Sequence, residues 1–347
     1  MQALRFHNQR DIRLDNVPRP ECRPHEVRVK VAYCGICGSD IHEYLGGPIF
    51  APKPGHRHPQ TGTSLPVVMG HEMSGTIAEL GIEVKNLSVG QKVTVIPLVA
   101  DSQYGTSPCA SCLAGHPNTS KQATFYGFSA PGGGFANEIT VNQANIVPIP
   151  DNVSLEIAAL SEPLAVAWHM VRTSGFVAGQ NVLVLGAGPI GLALLMLLKA
   201  KGAGKVIVSE ILPLRIHYAE QLGADKVVSP LAEDPAAPNP VLAAVSELTV
   251  EGVGIAYEAS GLQVTLDTAI AAVMPGGVVF NVAVCEKPLQ VNINDFVIME
   301  KRMAGGISYT LEDFHDAAFT GRMLPDSISI GCKGCPENEE AWLSVAI

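Results

Sequence analysis

The stretch Asn181-Val-Leu-Val-Leu-Gly186-Ala-Gly188-Pro189-Ile190-Gly191 decides the reading of this chain. An apolar strand runs into a Gly-x-Gly-x-x-Gly turn, and the run Leu192 to Leu198 then continues as a helix that closes at Lys199-Ala-Lys201-Gly202. In that context the glycines form a dinucleotide-binding signature. Gly186 permits the tight turn, Gly188 lets backbone approach a pyrophosphate, and Gly191 lets helix pack on strand. The N–H groups and dipole at the helix start, opened by Pro189 and Ile190, hold the pyrophosphate. The next strand, Lys205-Val-Ile-Val-Ser-Glu210, ends in an acid placed to accept from the ribose hydroxyls. That carboxylate repels a 2′-phosphate, so NAD is favoured over NADP, and Arg215 is the one feature that weakens the preference.

Further strands follow at Lys226-Val-Val-Ser229, Gly254 to Gly261 and Gly277 to Val284, alternating with Ala- and Leu-rich helical segments. Such alternation argues for a doubly wound parallel sheet, an α/β architecture. Residues near 258 to 261 and 283 to 285 end later strands and are expected at the nicotinamide half, where Cys285 reads as a buried, inert thiol. Residues 1–155 have a different texture. Short alternating runs such as Val27-Arg-Val-Lys-Val-Ala and Val93-Thr-Val-Ile-Pro, cut by Gly, Pro and Asp, predict an antiparallel β domain.

At 347 residues the chain has room for two domains. A formal charge of −10 argues against nucleic-acid and anionic-membrane partners, which demand clustered Lys and Arg, and leaves small molecules. The start, Met-Gln-Ala-Leu-Arg-Phe-His-Asn, shows no secretory signal. The longest apolar run, Val182 to Leu198, is too short and too broken by glycine to span a membrane. Eight cysteines, several in Cys-x-x-Cys spacing, suit reduced thiols or metal ligands, so a cytoplasmic location is expected.

Two short pieces carry the candidate chemistry: Cys34-Gly-Ile-Cys37-Gly-Ser39-Asp40-Ile-His42 and Gly70-His71-Glu72. Thiolate, imidazole and carboxylate are the donors zinc accepts, and a catalytic zinc keeps one position open. Taken singly, each piece also reads as buried small cysteines or a satisfied core histidine. Together with Ser161-Glu162-Pro-Leu-Ala-Val and the dinucleotide turn, they resemble the zinc-dependent medium-chain dehydrogenase/reductase family over nearly the whole chain to about Pro325. Within it the match looks like the butanediol and polyol dehydrogenases, because Glu162 stands where liver-type alcohol dehydrogenases have cysteine. The insert Gly47-Pro-Ile-Phe-Ala-Pro-Lys-Pro-Gly-His56-Arg-His58-Pro looks like that of fungal butanediol dehydrogenase-like proteins.

The resemblance implies a GroES-like antiparallel β catalytic domain over 1–155, to which 300–347 return, and a Rossmann domain over 156–299. It implies that Cys37, His71 and Glu162 bind the catalytic zinc, with Glu72 a neighbouring or exchanging ligand and Asp40 orienting His71. Ser39 would receive the substrate hydroxyl proton and His42 would pass it toward solvent. The implied reaction is the zinc- and NAD-dependent interconversion of a secondary alcohol, a vicinal diol or polyol, with its ketone. A dimer or tetramer is implied likewise. His56 and His58 read as exposed residues of a loop that at most walls the substrate pocket.

Two departures stand out. Most zinc-dependent members hold a structural zinc with four cysteines just after residue 100; this chain keeps Cys109 and Cys112 but has Thr106 and Ser120 at the other positions. Hydroxyls are poor zinc ligands, and His116 adds a third donor without a fourth, so no structural zinc is expected. After Leu311 to Met323, which resembles the family's C-terminal helix, come Cys332-Lys-Gly-Cys335 and a tail without the usual closing elements. Rival readings are a dehydrogenase of threonine, sorbitol or a pathway-specific ketone, and an inactive dinucleotide-binding relic. A zinc-free quinone reductase conflicts with the ligand set.

Overall fold

A computed structural model of the chain describes residues 1–231, 238–285 and 287–320. Two compact units emerge: Met1–Glu162 with residues 310–320, and Pro163–Tyr309.

The first unit is built on a five-stranded antiparallel sheet in the order Ile146–Pro148, Lys92–Val95, Glu72–Leu80, Glu26–Gly35, Glu138–Asn142. Burial alternates along Glu138–Asn142, so Ile139 and Val141 turn inward to meet Val27, Val29, Met73 and Val93. In the register of the two central strands, Gly35 stands opposite Glu72 and Cys34 opposite Met73. The loop leaving Gly35 and the strand entering at Glu72 are thereby held side by side, although 37 residues separate them in sequence (72 − 35). The sheet is antiparallel β, as the alternating texture of this half predicts.

The second unit is a six-stranded parallel sheet in the order Lys226–Val228, Val206–Ser209, Val182–Leu185, Val253–Glu258, Val273–Asn281, Arg302–Gly305. Numbered along the chain that order is 3-2-1-4-5-6, the doubly wound arrangement of dinucleotide-binding domains. The strands Val182–Leu185 and Val206–Ser209 are buried throughout because helices cover both faces. Val182, Val184 and Val208 pack under the helix Pro189–Ala200 on one face. Leu183, Leu185 and Ile207 pack against Val241, Val245 and Leu266 on the other. Each buried leucine of that helix stabilises the unit by about 1.5–3 kcal/mol, and Leu194, Leu195 and Leu198 are all sealed.

The boundary differs from the expected 155/156 and 299/300. Residues 156–162 stay with the first unit. Residues 300–309 stay with the second, because Arg302–Gly305 pairs in parallel with Val278 to Asn281 and becomes its edge strand. The last helix among the described residues, Leu311–Thr320, begins the segment expected from the sequence. Cys332 and Cys335 lie outside the described residues. No helix among the described residues is long and apolar enough to cross a membrane.

Candidate metal centre and dinucleotide turn

In the first unit the register of the sheet assembles the donors. Cys37 caps the helix Gly38–Gly46 two residues beyond the strand end at Gly35, and its N–H donates to Asp40 Oδ2 at 2.9 Å. That bond folds the Cys37–Asp40 turn and leaves Asp40 Oδ1 pointing elsewhere. Across the sheet, Gly70 takes φ +88°, a left-handed conformation open to glycine, and delivers His71 and Glu72 into the same space. Sγ of Cys37, a ring nitrogen of His71 and a carboxylate oxygen of Glu72 lie within 4.8 Å of one another. A side chain at Gly35 would collide with Glu72 Oε2, so glycine there makes room for the carboxylate. Glu162, buried in the first turn of Ser161–Thr173, lies outside that 4.8 Å group yet close enough for its charge to act on both Cys37 and Glu72.

Electrostatics point to a cation. Burial first, and then the charge of Glu162, push the Glu72 carboxyl up to about 8. Burial also raises the Cys37 thiol, against a lowering hydrogen bond from His71. For His71 burial acts downward, but Asp40 and then Cys37 outweigh it and hold the ring well above its ordinary value. Acids crowded out of water in this way are relieved by a shared positive charge. Two buried polar atoms, Asp40 Oδ1 and His71 Nδ1, have no hydrogen-bond partner and face each other at 3.5 Å. A histidine whose far nitrogen ligates a metal tightens this kind of contact. The residues therefore fit a zinc ion, with thiolate, imidazole and carboxylate as donors.

Ser39 sits one residue before Asp40, and its Oγ is 3.3 Å from His71 Nε2. His42 lies one turn further along the same helix, on the same side as Ser39. The Phe128 ring packs on His71 with centroids 5.0 Å apart, and Phe50 of the insert packs on Phe128 at 5.3 Å. Glu43 anchors the start of that insert: its buried carboxylate accepts from the N–H groups of Ile49, Phe50 and Ala51 at 2.9–3.1 Å. His56 is exposed and His58 half-buried, and neither joins the donor group. Cys34 packs beside Gly134 and also stays outside it.

In the second unit, Gly186 takes φ +101°, and a side chain there would meet Ser260 Oγ at 2.6 Å. A side chain at Gly191 would collide with the Gly186 carbonyl, whereas Gly188 faces open space apart from Arg215 Nη1, 3.9 Å from where a Cβ would sit. Pro189 and Ile190 form the first turn of the following helix. Glu210 is buried, and its two oxygens accept from Ala187 N–H at 2.8 Å, Ile211 N–H at 2.7 Å and Leu212 N–H at 3.0 Å. The acid thus fastens the glycine turn to the end of the second strand, and Arg215 flanks it at 3.9 Å. Cys285 is half-buried, not sealed.

The lobe after residue 100 contains a donor that spacing did not reveal. Asp101 brings a carboxylate to Cys109 and Cys112, the three within 4.8 Å of one another, while His116 is exposed and apart. Sequence reasoning also missed Gly35, Glu43 and Phe128, whose places depend on strand register and on contacts distant in sequence.

Residues 23–151 match the alcohol dehydrogenase GroES-like domain, and residues 189–320 match the zinc-binding dehydrogenase domain. The chain is 41% identical to the (R,R)-butanediol dehydrogenase of Saccharomyces cerevisiae, across 99% of this chain and 93% of that protein. It is 33% identical to the sorbitol dehydrogenase of Bacillus subtilis across 80% and 73%. The crystal structure of 2R,3R-butanediol dehydrogenase from Bacillus subtilis superimposes with a TM-score of 0.84 at 39% identity, covering 94% of this chain and 89% of that one. This chain belongs to the zinc-dependent medium-chain alcohol dehydrogenases, oxidoreductases that interconvert an alcohol and a carbonyl compound with zinc and a nicotinamide dinucleotide.

Proposed function

We propose that this chain oxidises a short vicinal diol of the 2,3-butanediol type to its hydroxyketone with NAD, and catalyses the reverse reduction. The observation that carries the reading is the convergence of Cys37, His71 and Glu72 beside Ser39, with buried Glu162 acting on the same group. Cys37, His71 and Glu162 hold the zinc, and Glu72 is the neighbouring or exchanging donor. Bound there, zinc would supply Lewis-acid polarisation of the substrate oxygen, with a nicotinamide dinucleotide as the hydride acceptor. Ser39 Oγ receives the substrate hydroxyl proton, and His42, on the same helix side, passes it toward solvent. Asp40 orients His71 through Nδ1. Gly186, Gly188, Pro189, Ile190 and Gly191 cradle the pyrophosphate, and the charge of Glu210 disfavours a 2′-phosphate.

The butanediol reading over a polyol rests on the aromatic flank. Phe50, exposed and stacked on the buried Phe128 that packs against His71, offers apolar surface suited to a methyl group and ill suited to a chain of hydroxyls. The names of the yeast and bacterial relatives support the same substrate class. Initial rates on 2,3-butanediol, sorbitol, threonine and ethanol decide between these readings. A kcat/KM highest for the butanediol supports the proposal; a preference for the primary alcohol or for sorbitol contradicts it.

The assembly proposed is a homo-oligomer joined through the open sheet edge. All four residues of Arg302–Gly305 are exposed, and Val297, Ile298, Met299 and Met303 present apolar surface at or just before that strand. An exposed apolar strand edge invites pairing with a second copy. Light scattering that reports a monomer at working concentration contradicts this part.

A further inference from the structure

The lobe after residue 100 holds a cluster that neither the metal centre nor the dinucleotide turn uses. Cys109 and Cys112 bracket the start of the short helix Ala110–Leu113, with their sulfurs 3.5 Å apart. Asp101, 1% exposed, lies beside both of them. Its Oδ2 is 3.2 Å from Cys112 Sγ and accepts the Cys109 N–H at 3.3 Å, and its Oδ1 accepts the Ser120 hydroxyl at 2.7 Å. Ser111 Oγ and Ser120 Oγ stand 3.0 and 3.3 Å from Cys109 Sγ. Both thiols are partly exposed, so a small reagent reaches them.

Two chemistries compete for such a group. A closed structural zinc takes four sulfur or nitrogen donors, whereas only two thiols and one carboxylate converge here, and Ser111 and Ser120 contribute hydroxyls. The carboxylate is already engaged by Ser120, Cys112 and a backbone N–H. Disulfide geometry is nearer to hand. Residues three apart at a helix start have Cα atoms about 5 Å apart, inside the range a disulfide spans. The sulfurs need to approach by only about 1.5 Å to reach bonding distance.

We propose that Cys109 and Cys112 form a redox-active dithiol, converted to an intramolecular disulfide by a low-molecular-weight disulfide. Cys109 thiolate attacks one sulfur of the reagent, the reagent's S–S bond breaks, and one thiolate leaves. Cys112 then gives its proton to the thiolate that has just left and attacks Cys109 Sγ, displacing the second thiolate. Protonated, the leaving groups are two free thiols: the pair has lost two electrons and the reagent has gained them. The surroundings assign the order. Hydrogen bonding with Ser111 and then with Ser120 brings Cys109 down to about 7, while burial, and then the contacts to Cys109 and Asp101, raise Cys112 to about 11. Cys109 is the attacking group and Cys112 the resolving one.

The test uses the full-length, zinc-loaded protein, reduced, freed of thiol and exposed to glutathione disulfide near neutral pH. The expected product has lost the mass of two hydrogens and yields one Cys109–Cys112 peptide pair. Cys112→Ser stops at a glutathionyl group on Cys109, and Cys109→Ser reacts at least about tenfold more slowly. Alkylation of the unmutated protein needs no variant to fold: labelling at Cys109 rises through about pH 7, ahead of Cys112. Equal reactivity of the two thiols, a disulfide formed elsewhere, or thiols that react only after a second zinc is stripped from them would overturn the proposal.

Discussion

Replacing Asp40 by Asn isolates the contact proposed to orient His71 as a metal ligand. Asn keeps an acceptor for the Cys37 N–H, so the turn that carries Cys37 and Ser39 should survive. What is lost is a negative charge 3.5 Å from His71 Nδ1. Against a protonated imidazole, at an effective dielectric constant near 20, that charge is worth roughly 5 kcal/mol. A zinc-ligated histidine is neutral, so the full figure does not apply; the relevant loss is that of an outer carboxylate partner, about 10- to 100-fold in metal affinity or activity. The smaller effect governs: Asp40→Asn should weaken zinc binding by about 1.4 to 2.8 kcal/mol while melting close to the parent when zinc is saturating. Competition with a chromogenic chelator gives the affinity, and diol oxidation at saturating zinc gives kcat/KM. Zinc affinity within twofold of the parent would refute the orienting role.

Glu43→Ala should cost about 3–6 kcal/mol of stability, because three N–H groups of the insert lose a buried acceptor at 1–3 kcal/mol each with partial relief by water; a denaturation midpoint indistinguishable from the parent contradicts this. Metal-free protein should lose stability as pH rises from about 5 to about 8. Folded Glu72 keeps its proton up to about 8, and His71 is raised too, so the folded state holds protons that the unfolded chain has released. Zinc replaces those protons and should flatten the profile, whereas a metal-free melting temperature that climbs over this range would run against the assigned environment. Glu210→Ala should raise the ratio of NADP to NAD kcat/KM by about tenfold or more, since the carboxylate proposed to repel a 2′-phosphate is gone; unchanged kinetics with both cofactors would refute that proposed role.

Much of the fold is legible because it is written in runs of apolar residues. Val182 to Leu185 and Leu192 to Leu198 are almost wholly buried, so the hydrophobic run by itself announces a strand and then a helix. Arg302–Gly305 gives no such signal: it is four residues long, wholly exposed and on the edge, and the expected domain boundary therefore fell short of it. In the first unit the donor types Cys37, His71 and Glu72 are readable from composition and order alone. Gly35 is not, because its importance lies in standing opposite Glu72. Phe128 reaches His71 only through folding of the chain, and no periodicity marks it. Asp101 escaped for a related reason. A lobe judged by its missing cysteines shows Thr106 and Ser120, whereas a carboxylate eight residues before Cys109 (109 − 101) sits at no recognisable spacing.

The most direct test of a catalytic zinc in this chain is the zinc content per chain of the purified protein, measured together with NAD-dependent oxidation of 2,3-butanediol before and after chelation. The expected result is one zinc per chain, activity lost on its removal and restored by its return, and no zinc retained by a Cys37→Ser, His71→Ala double variant. Folded protein that carries no zinc, or activity that survives chelation, would contradict the assignment of Cys37, His71, Glu72 and Glu162 to a catalytic metal.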